Sequence, residues 1–540
     1  MVSVLLLHPD DDVAVATADL TVGETVDIAG RAVVVRGPIP AGHKIAVREL
    51  PAGRLVHKYG QLIGEATAAI ATGDHVHVHN LRMPSPDRLA AGSGPALAGP
   101  TAGAAGDDAL SGHGPAGGPG SNGRHGASGA AVAGGGPDGL PLTFAGFRRP
   151  DGTVGTRNYI GVLTTVNCSA TVARQVARRT EDLAETVDGV DGVVALTHGT
   201  GCGMSNQGEG FDLLRRTLAG YARHPNIGGL VVVGLGCEVN EIDALTAGLG
   251  VAAHVPVLPY TIQDVGGTAA AISHGVGLVR ELATGLAGTR RVEVAVEHLV
   301  LGLQCGGSDG WSGLTANPAL GVASDLLVSL GGTSILGETP EIYGAEHLLA
   351  ARAVNPAVAA ELLARIRWWE EYSRSQGTTM DGNPSPGNKA GGITTILEKS
   401  LGAVAKAGHS PLAAVCRYAD PVPGPGLVFM DTPGYDPVSA TGMVAGGATI
   451  IGFTTGRGSV FGSRPAPTVK LASNAVTARR MAGDIDVDCS PVIDGGVSLE
   501  EMGRQVYRVL VDVASGRPSA SEALGLGGEE IVPWQIGAVL

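Results

Sequence analysis

The run Tyr159-Ile-Gly-Val-Leu-Thr-Thr-Val166, followed at once by Asn167-Cys168-Ser169, decides the fold of most of this chain. Consecutive apolar or β-prone residues predict a buried strand, and the stretch Ala170–Thr186 after it predicts a helix. An alternation of strand-like and helix-like runs of this kind is typical of βαβ units, so we predict an α/β fold built on a parallel sheet. The alternation continues in Gly192–Thr197, Phe211–Ala222, Gly229–Leu235, Glu241–Gly248 and Leu299–Leu303.

Two further regions complete the predicted architecture. Towards the end of the chain, a helical stretch over Arg352–Gln376 and a final helix over Leu499–Ala514 enclose short apolar runs, which indicates a second α/β domain. Near the start, short apolar runs broken by Gly or Pro predict a small all-β module. We therefore divide the chain into a β module (1–85), a flexible linker rich in Gly, Ala and Pro (86–142), an α/β domain (143–292) and a C-terminal α/β domain (293–540).

Composition excludes several classes of protein. The 540 residues carry a formal net charge of −14 and only 4% are aromatic, which argues against a nucleic-acid partner. The sequence has no apolar run of about 18 residues, as a membrane span requires, and no basic region of a secretory signal at its start. Six cysteines are too few for a disulfide scaffold. We expect a cytoplasmic enzyme with a small-molecule substrate and no membrane partner; its oligomeric state is left open, a homo-oligomer included.

Four of the six cysteines follow predicted strands. Cys168, Cys202, Cys237 and Cys305 stand among small and polar residues, where the carboxyl ends of parallel strands form a ligand crevice. A small buried residue at a tight turn explains any one of them alone. As a set they predict a functional site at this edge of the sheet. A soft-metal or iron–sulfur site assembled from separate loops is one of the alternatives. Polar side chains flank these cysteines at Asn167, His198, Glu238, Ser308 and Asp309.

The β module ends in alternating histidines, His75, His77 and His79. In a strand, side chains two residues apart share a face, so these imidazoles are candidates to ligate a metal or to contact an acidic substrate. A solvated histidine edge is the alternative. The module carries further polar groups at His8, Asp11, His43 and Lys44.

Two basic residues in glycine-rich turns are candidates to hold an anion. Arg457 lies between two glycines after an apolar run, and Lys389 follows Asn388 in a second Gly-rich turn. A guanidinium in such a turn can clamp a carboxylate with two hydrogen bonds. A turn residue that simply faces solvent is the alternative reading for each.

These motifs, taken in order, make the chain similar to the altronate/galactarate dehydratase family over nearly its whole length except the linker. The first module resembles an SAF domain, and the histidine run and the Asn388-Lys389 turn resemble the altronate branch more than the galactarate branch. Sulfolactate sulfo-lyases are similar as well, with the two parts on separate chains. The segments that carry the resemblance are His8-Pro-Asp-Asp11, Gly42-His43-Lys44, Lys58-Tyr59-Gly60, HVHVHN at 75–80, the segment 152–158, Gly234-Leu-Gly-Cys237-Glu238, Gln304-Cys-Gly-Gly-Ser-Asp309, Thr315-Ala-Asn317-Pro318, the segment 383–389 and Thr454-Thr-Gly-Arg-Gly458.

The resemblance implies a hydro-lyase that converts D-altronate to 2-dehydro-3-deoxy-D-gluconate and water. It also implies a divalent cation, Fe²⁺ first and Mn²⁺ or Mg²⁺ as substitutes, which offsets charge on the substrate carboxylate while a base removes the C2 proton. Galactarate dehydratase, sulfolactate sulfo-lyase and a non-enzymatic sugar-acid sensor are the alternatives.

Role assignments follow from the motifs and the resemblance together. We expect catalytic roles for His8, Asp11, His43, Lys44, His198, Glu238 and Asp309. We expect substrate contacts from Asn167, Ser308, Asn388, Lys389 and Arg457. We expect metal ligation by His75, His77, Cys168, Cys202, Cys237 and Cys305.

Overall fold

A computed structural model describes residues 3–85, 87–89, 139–493 and 495–536. It confirms the predicted fold class: a small all-β module is followed by an α/β body with parallel sheets. The predicted flexible linker (86–142) lies for the most part outside the described residues. No described helix combines the length and apolar character that crossing a bilayer requires.

The first module consists of short antiparallel strands around two small apolar cores. Its largest sheet has the order β1-β2-β5-β8, β3 pairs with β4, and β6-β7-β9 form the third sheet. The alternation of exposed and buried residues in β3 shows how one face of such a strand enters the core. The strands are β1 (Val4–Leu5), β2 (Val13–Ala16), β3 (Thr25–Ile28), β4 (Arg31–Val34), β5 (Lys44–Ala46), β6 (Leu55–Lys58), β7 (Gln61–Ala66), β8 (His75–Val76) and β9 (Leu81–Arg82).

The second part of the chain is built on a four-stranded parallel sheet with the order β13-β12-β14-β15. All of its strands except the edge strand β15 are buried along their whole length because helices cover both faces. A separate small antiparallel sheet has the order β11-β10-β16. The strands are β10 (Thr143–Arg148), β11 (Val154–Gly155), β12 (Tyr159–Thr164), β13 (Gly192–Leu196), β14 (Ile227–Gly234), β15 (Val257–Thr261) and β16 (Val292–Ala295). The helices are α1 (Asn167–Arg178), α2 (Leu183–Thr186), α3 (Glu209–Ala222), α4 (Ile242–Gly248) and α5 (Thr268–Leu286).

The third part contains a seven-stranded parallel sheet with the order β19-β20-β18-β17-β21-β22-β23. The strands are β17 (Val300–Cys305), β18 (Thr333–Leu336), β19 (Leu412–Cys416), β20 (Gly426–Met430), β21 (Ile450–Thr455), β22 (Thr468–Ala472) and β23 (Val487–Asp488). The helices are α6 (Ala316–Ser329), α7 (Glu346–Ala350), α8 (Pro356–Ser375), α9 (Pro386–Ala390), α10 (Ile396–Ala405), α11 (Asp436–Ala445), α12 (Ala475–Arg480), α13 (Leu499–Ala514) and α14 (Ala520–Ala523). Short 3-10 helices lie at Val296–His298, Thr339–Ile342, Met380–Gly382 and Ser490–Val492.

Two predicted helix boundaries are corrected. The helix predicted over Ala170–Thr186 begins at Asn167 and ends at Arg178; after it, the Thr180 hydroxyl bonds to the carbonyl groups of the last turn. The helix predicted over Arg352–Gln376 begins at Pro356 because Asn355 caps it: the Asn355 side chain accepts the Val358 N–H, and Pro occupies the first helical position.

The first module docks directly on the third part. Lys44 and Lys58 reach Glu398 on α10, and the Thr395 hydroxyl donates to the Ile63 carbonyl at 2.5 Å. The same docking brings Gly42, next to His43, against the loop that follows β17.

Candidate functional site

Polar side chains collect where the strands of the seven-stranded sheet end. Asp309 follows β17, Glu338 follows β18, Asp431 follows β20, Arg457 follows β21 and Asn474 follows β22. In a parallel sheet these ends lie along one edge, which is the usual position of a ligand crevice. The edge is therefore the first candidate for an active site.

Asp309 is anchored through one oxygen and nearly free at the other. Its Oδ1 accepts hydrogen bonds from the Trp311 N–H and from the N–H and hydroxyl of Ser312, together with the Ser473 hydroxyl at 2.8 Å. Among the described residues, Oδ2 accepts only from the Asn474 side chain, at 2.9 Å. Burial raises the pKa of Asp309. A fixed carboxylate with one available oxygen and a raised pKa suits a general base.

Three histidines of the first module form what we call the histidine triad: His43, His75 and His77. His43 Nδ1 lies 3.0 Å from His75 Nε2, and one ring nitrogen from each residue lies within 4.8 Å of the others. The pKa of each is lowered by burial, to about 4 for His75 and about 3 for His77, with nearby charges adding to the effect. His77 Nδ1 is buried without a hydrogen-bond partner among the described residues. Neutral imidazoles at this spacing match the donor set of an open divalent-metal site.

Glycines allow the triad to touch the body of the protein. Gly42, next to His43, has a φ of +82°, and a Cβ atom there would lie 2.9 Å from the Trp311 Nε1. Gly392 has a φ of +102°, and its Cβ would lie 2.5 Å from the Gly42 carbonyl oxygen. Gly310, directly after Asp309, bonds to the Gly391 carbonyl at 2.7 Å in the same contact. The triad and Asp309 therefore border one interface.

The same interface is held by an interdomain ion triad, defined as Lys44, Lys58 and Glu398. Lys44 Nζ donates to both Glu398 oxygens at 3.0 and 2.8 Å and to the Gly392 carbonyl at 2.7 Å. Lys58 Nζ donates to Glu398 Oε1 at 2.9 Å. Burial lowers the pKa of Lys44 to about 8. Burial opposes ionisation of Glu398, but the two ammonium groups hold the pKa of its carboxyl well below the ordinary value.

A buried ion network lies beneath this interface and consists of Cys305, Glu338, Glu341, Lys399 and Lys406. Lys406 Nζ lies 2.8 Å from Cys305 Sγ and 2.7 Å from Glu338 Oε2, and Lys399 pairs with Glu341 at 2.7 Å. Burial raises the pKa of Glu338 to about 7 and raises that of the Cys305 thiol. The ligand atoms of Cys305, Glu338 and Glu341 are close enough for one cation. The Lys406 ammonium already supplies the positive charge there, so this group is the poorer metal site.

A small cavity connects the two buried groups. Its lining includes Tyr59, Asp309 and Ser308, together with Glu398 of the interdomain ion triad and Lys399 of the ion network. Residues of the first module and of the third part thus form one continuous site.

Two predicted substrate-binding residues are open to a ligand. Arg457 is exposed and makes no ion pair with another residue of the described ranges. Lys389, on α9, is half-buried. Both lie on segments that border the Asp309 edge, because a Cβ atom at Gly456 would come within 2.2 Å of the Asp309 carboxylate and one at Gly391 within 2.9 Å of its Cβ.

Other predicted catalytic residues of the first module have structural contacts instead. The Asp11 carboxylate accepts the N–H groups of His8, Tyr59 and Gly60, and all three Nζ hydrogens of Lys44 are donated within the interface. This geometry argues against direct chemistry by Asp11 or Lys44. His8 is exposed and its ring packs over Gly60.

The predicted site residues of the second part also support loops. His198 is buried; its Nε2 lies 3.1 Å from the Thr164 carbonyl and its Nδ1 accepts the Thr200 N–H. Glu238 accepts from the Thr165 hydroxyl and from backbone N–H groups, which lower the pKa of its carboxyl against the opposing effect of burial. The Asn167 side chain donates to the His198 carbonyl. None of these polar groups faces the Asp309 edge through a described contact.

Two further predicted residues belong to the wall of the site. The Asn388 side chain accepts the N–H of Ser385, the residue that caps α9, and donates to the Ser308 carbonyl at 2.8 Å, so it fixes the loop rather than offering its amide to a ligand. Ser308 is buried and lines the small cavity.

The four strand-end cysteines do not share one site. Cys305 is buried on the seven-stranded sheet, whereas Cys168, Cys202 and Cys237 are exposed at the edge of the four-stranded sheet. The expectation that all four line one crevice is therefore corrected.

Sequence reasoning missed the acidic and basic residues of the buried groups: Lys58, Glu338, Glu341, Glu398, Lys399 and Lys406. The sequence offers a signal for two of them, since Glu338 and Glu341 follow the short run 333–336 in the same way that Asp309 follows β17. That run is only four residues long and was not identified as a strand. The lysines and Glu398 lie on helices and strands whose pairing depends on tertiary contacts.

Comparison with known proteins places these features in context. Successive parts of the chain match family descriptions: altronate/galactarate dehydratase SAF domain (2–84), D-galactarate dehydratase/altronate hydrolase second domain (146–287) and D-galactarate/altronate dehydratase C-terminal (296–539). The chain is 34% identical to the altronate dehydratase of Bacillus subtilis over 96% of both chains. It is 34% identical to the galactarate dehydratase (L-threo-forming) of Escherichia coli over 89% of this chain and 86% of that protein. It is also 34% identical to the (2R)-sulfolactate sulfo-lyase subunit beta of Chromohalobacter salexigens over 71% of this chain and 95% of that subunit.

Proposed function

Because the chain belongs to the D-galactarate/altronate dehydratase family and is a lyase, we propose that it removes water from D-altronate to give 2-dehydro-3-deoxy-D-gluconate. The observation that carries this proposal is the position of the histidine triad, docked beside Asp309 at the carboxyl edge of the seven-stranded sheet. A metal-binding face and a candidate base there border the same interface.

The histidine triad fits a divalent cation. Its three imidazoles converge, their lowered pKa values favour the neutral form that ligates metals, and His77 Nδ1 is buried without a protein partner. When bound there, Fe²⁺, Mn²⁺ or Mg²⁺ would offset the negative charge that grows on the substrate carboxylate as C2 loses its proton. Of these three, imidazole ligands favour Fe²⁺ over Mg²⁺.

Asp309 is our candidate for the base that removes the C2 proton. Four hydrogen bonds fix Oδ1, so Oδ2 presents its remaining lone pair in a constant direction. Asn474, which bonds to Oδ2, also bonds to the Gly456 carbonyl at 2.8 Å. The raised pKa makes the carboxylate a stronger base than an exposed aspartate.

Arg457 and Lys389 are our candidates to hold the substrate carboxylate. The chain as a whole has a charge of −14, so an anionic substrate needs local positive charge. Arg457 makes no ion pair with any described residue, and its guanidinium can bind a carboxylate with two parallel hydrogen bonds. Lys389 lies on the segment that contacts the His43 loop, between the metal-binding face and the Asp309 edge.

Altronate is preferred to galactarate on two observations. The resemblance covers more of the altronate dehydratase than of the galactarate dehydratase, and the HVHVHN run resembles the altronate branch more than the galactarate branch. The rival reaction, bisulfite release from sulfolactate, is favoured only by the similarity to the sulfo-lyase subunits.

The test is an anaerobic assay with Fe²⁺ that offers D-altronate, galactarate and (2R)-sulfolactate in parallel. We expect 2-keto-3-deoxy acid from D-altronate alone. The same acid from galactarate alone would overturn the altronate assignment, and bisulfite release without keto acid would overturn the dehydration itself. Protein with His43→Ala and His77→Ala is the matched inactive control.

A further inference from the structure

Three cysteines form an exposed group at the carboxyl edge of the four-stranded sheet. Cys168 follows β12, Cys202 follows β13 and Cys237 follows β14, and β12 lies between the other two strands in the sheet. All three thiols are exposed. Cysteine is among the most buried residue types, and the other three cysteines of the chain are all buried. We call Cys168, Cys202 and Cys237 the thiol edge.

Hydrogen bonds hold the three loops of the thiol edge against one another. The Asn167 N–H donates to the Thr200 carbonyl at 2.9 Å, which joins the Cys168 and Cys202 loops. The Asn240 N–H donates to the Gly201 carbonyl at 3.2 Å, which joins the Cys237 and Cys202 loops. The Asn240 side chain also donates to the Thr165 carbonyl at 2.9 Å and thus reaches the end of β12.

Two other contacts set the direction of these loops. Glu238 accepts the Cys237 N–H at 2.9 Å and the Thr165 hydroxyl at 2.5 Å, so it links the Cys237 turn to β12. Gly201 has a φ of +96°, and a Cβ there would lie 2.4 Å from the Thr165 carbonyl oxygen. Only glycine lets the Cys202 loop pass this close to the neighbouring strand.

The distance between thiolates differs between a site for a single metal ion and an iron–sulfur cluster. Three thiolates on a single tetrahedral ion, with bonds of about 2.3 Å, stand roughly 3.8 Å apart. In the described part of the chain, the side-chain groups with all ligand atoms within 4.8 Å of one another do not include the thiol edge. Terminal thiolates on a cubane of iron and sulfide stand farther apart than this, since each binds a different iron atom. Three thiols that are not grouped around one ion but end neighbouring strands of one sheet suit separate iron atoms of one cluster.

We propose that the thiol edge binds a [4Fe–4S] cluster through Cys168, Cys202 and Cys237, with its fourth iron facing solvent. The three thiolates account for three iron atoms, and the exposure of the edge leaves the fourth open to an oxygen ligand such as a carboxylate or a hydroxyl group. This centre is separate from the histidine triad and does not depend on the proposed dehydration of altronate.

The test uses the full chain, purified anaerobically and then treated with ferric iron, sulfide and excess dithiothreitol, which together supply the mixed-valence iron of the cluster. We expect about four iron and four sulfide ions per chain, in addition to any iron bound by the histidine triad. The cluster should absorb broadly at about 400 nm. Cys168→Ser, Cys202→Ser and Cys237→Ser should each lower the sulfide content and this absorbance at least about fivefold. Because the three side chains are exposed, these variants should keep the circular dichroism and melting temperature of the parent protein.

Cys416→Ser is the matched control, since Cys416 is buried on the other sheet and should leave cluster content unchanged. Iron uptake without sulfide, zinc uptake in its place, or full absorbance in any folded thiol-edge variant would overturn the proposal. A His77→Ala variant that keeps the cluster but lacks dehydratase activity would separate this centre from the proposed active site.

Discussion

Lys44 Nζ lies 2.8 Å from Glu398 Oε2, although 354 residues separate them along the chain. Both side chains are buried, and Lys58 adds a second ammonium group to the same carboxylate. Lys44 directly follows His43, so this ion pair fixes the histidine triad against the body. The contact that joins two domains therefore also determines where the metal-binding face lies.

Glu398→Gln should strongly destabilise the docked first module. The change leaves two buried ammonium groups without a counter-charge, which typically costs about 3–5 kcal/mol. Urea denaturation should show this loss in the free energy of unfolding, or an early transition of the first module alone. Glu500→Gln, which breaks a surface pair with Arg504, is the control and should change stability by less than about 0.5 kcal/mol. Equal losses of stability from the two substitutions would contradict the stabilising role of the interdomain ion triad.

The stabilising effect of Glu398 should depend on pH. Its pKa in the folded protein lies below the ordinary value of 4.5, so the carboxylate contributes stability that is fully present above pH 4.5 and is lost as pH falls through the folded pKa. The difference in unfolding free energy between the parent protein and Glu398→Gln should therefore be constant from pH 7 to 5 and shrink below pH 4.5. Denaturant titrations at these pH values measure it, and a difference that stays constant down to pH 3 would refute the assignment.

His77→Ala should weaken divalent-metal binding without unfolding the first module. The substitution removes one of three converging imidazoles and a ring nitrogen that has no other described partner. We expect the dissociation constant for Fe²⁺ or Mn²⁺ to rise by about 100-fold or more, because even changes beyond the direct ligands cost 10–100-fold. Anaerobic titration calorimetry measures it. His79→Ala, an exposed neighbour outside the triad, is the control; a similar loss there would show that the histidine run acts only as a charged edge.

Much of the architecture follows from local pattern alone. Long apolar strands precede Asn167, His198 and Cys237. Helix α13 has the predicted bounds because its apolar residues repeat with helical period. The strand before Glu338 has only four residues, too few for the pattern to identify. The histidine triad was predicted in part. The sequence predicts that His75 and His77 share a strand face, but β8 ends at Val76 and His77 lies in the turn after it. His43 joins them through strand pairing between β5 and β8. Glu398 lies on a helix that carries no motif, and only its distant lysine partners give it a role.

Asp309→Asn should abolish most of the turnover while substrate binding persists. An amide accepts no proton at C2, and loss of a general base typically lowers kcat by about 100- to 10,000-fold. We expect little change in KM and loss of C2 hydrogen exchange when the reaction is followed in deuterium oxide. Ser312→Ala removes one of the four donors to Oδ1 and the hydroxyl that accepts the Asp309 N–H, but it leaves the carboxylate in place and should lower kcat far less. Retention of C2 exchange in the Asp309 variant would remove this carboxylate from the proton-transfer step.

Arg457→Ala should raise KM for the sugar acid and leave the fold intact. The guanidinium is exposed and makes no ion pair within the described chain, so its removal breaks no ion pair there. A charge-assisted hydrogen bond contributes about 1.5–3 kcal/mol, which corresponds to a KM roughly 10- to 100-fold higher. Arg457→Lys should recover only part of the loss, since an ammonium group lacks the two-pronged geometry. Arg480→Ala, an exposed arginine on α12, serves as the control for a general change in surface charge. If steady-state kinetics show the same KM for both alanine variants, Arg457 does not hold the substrate carboxylate.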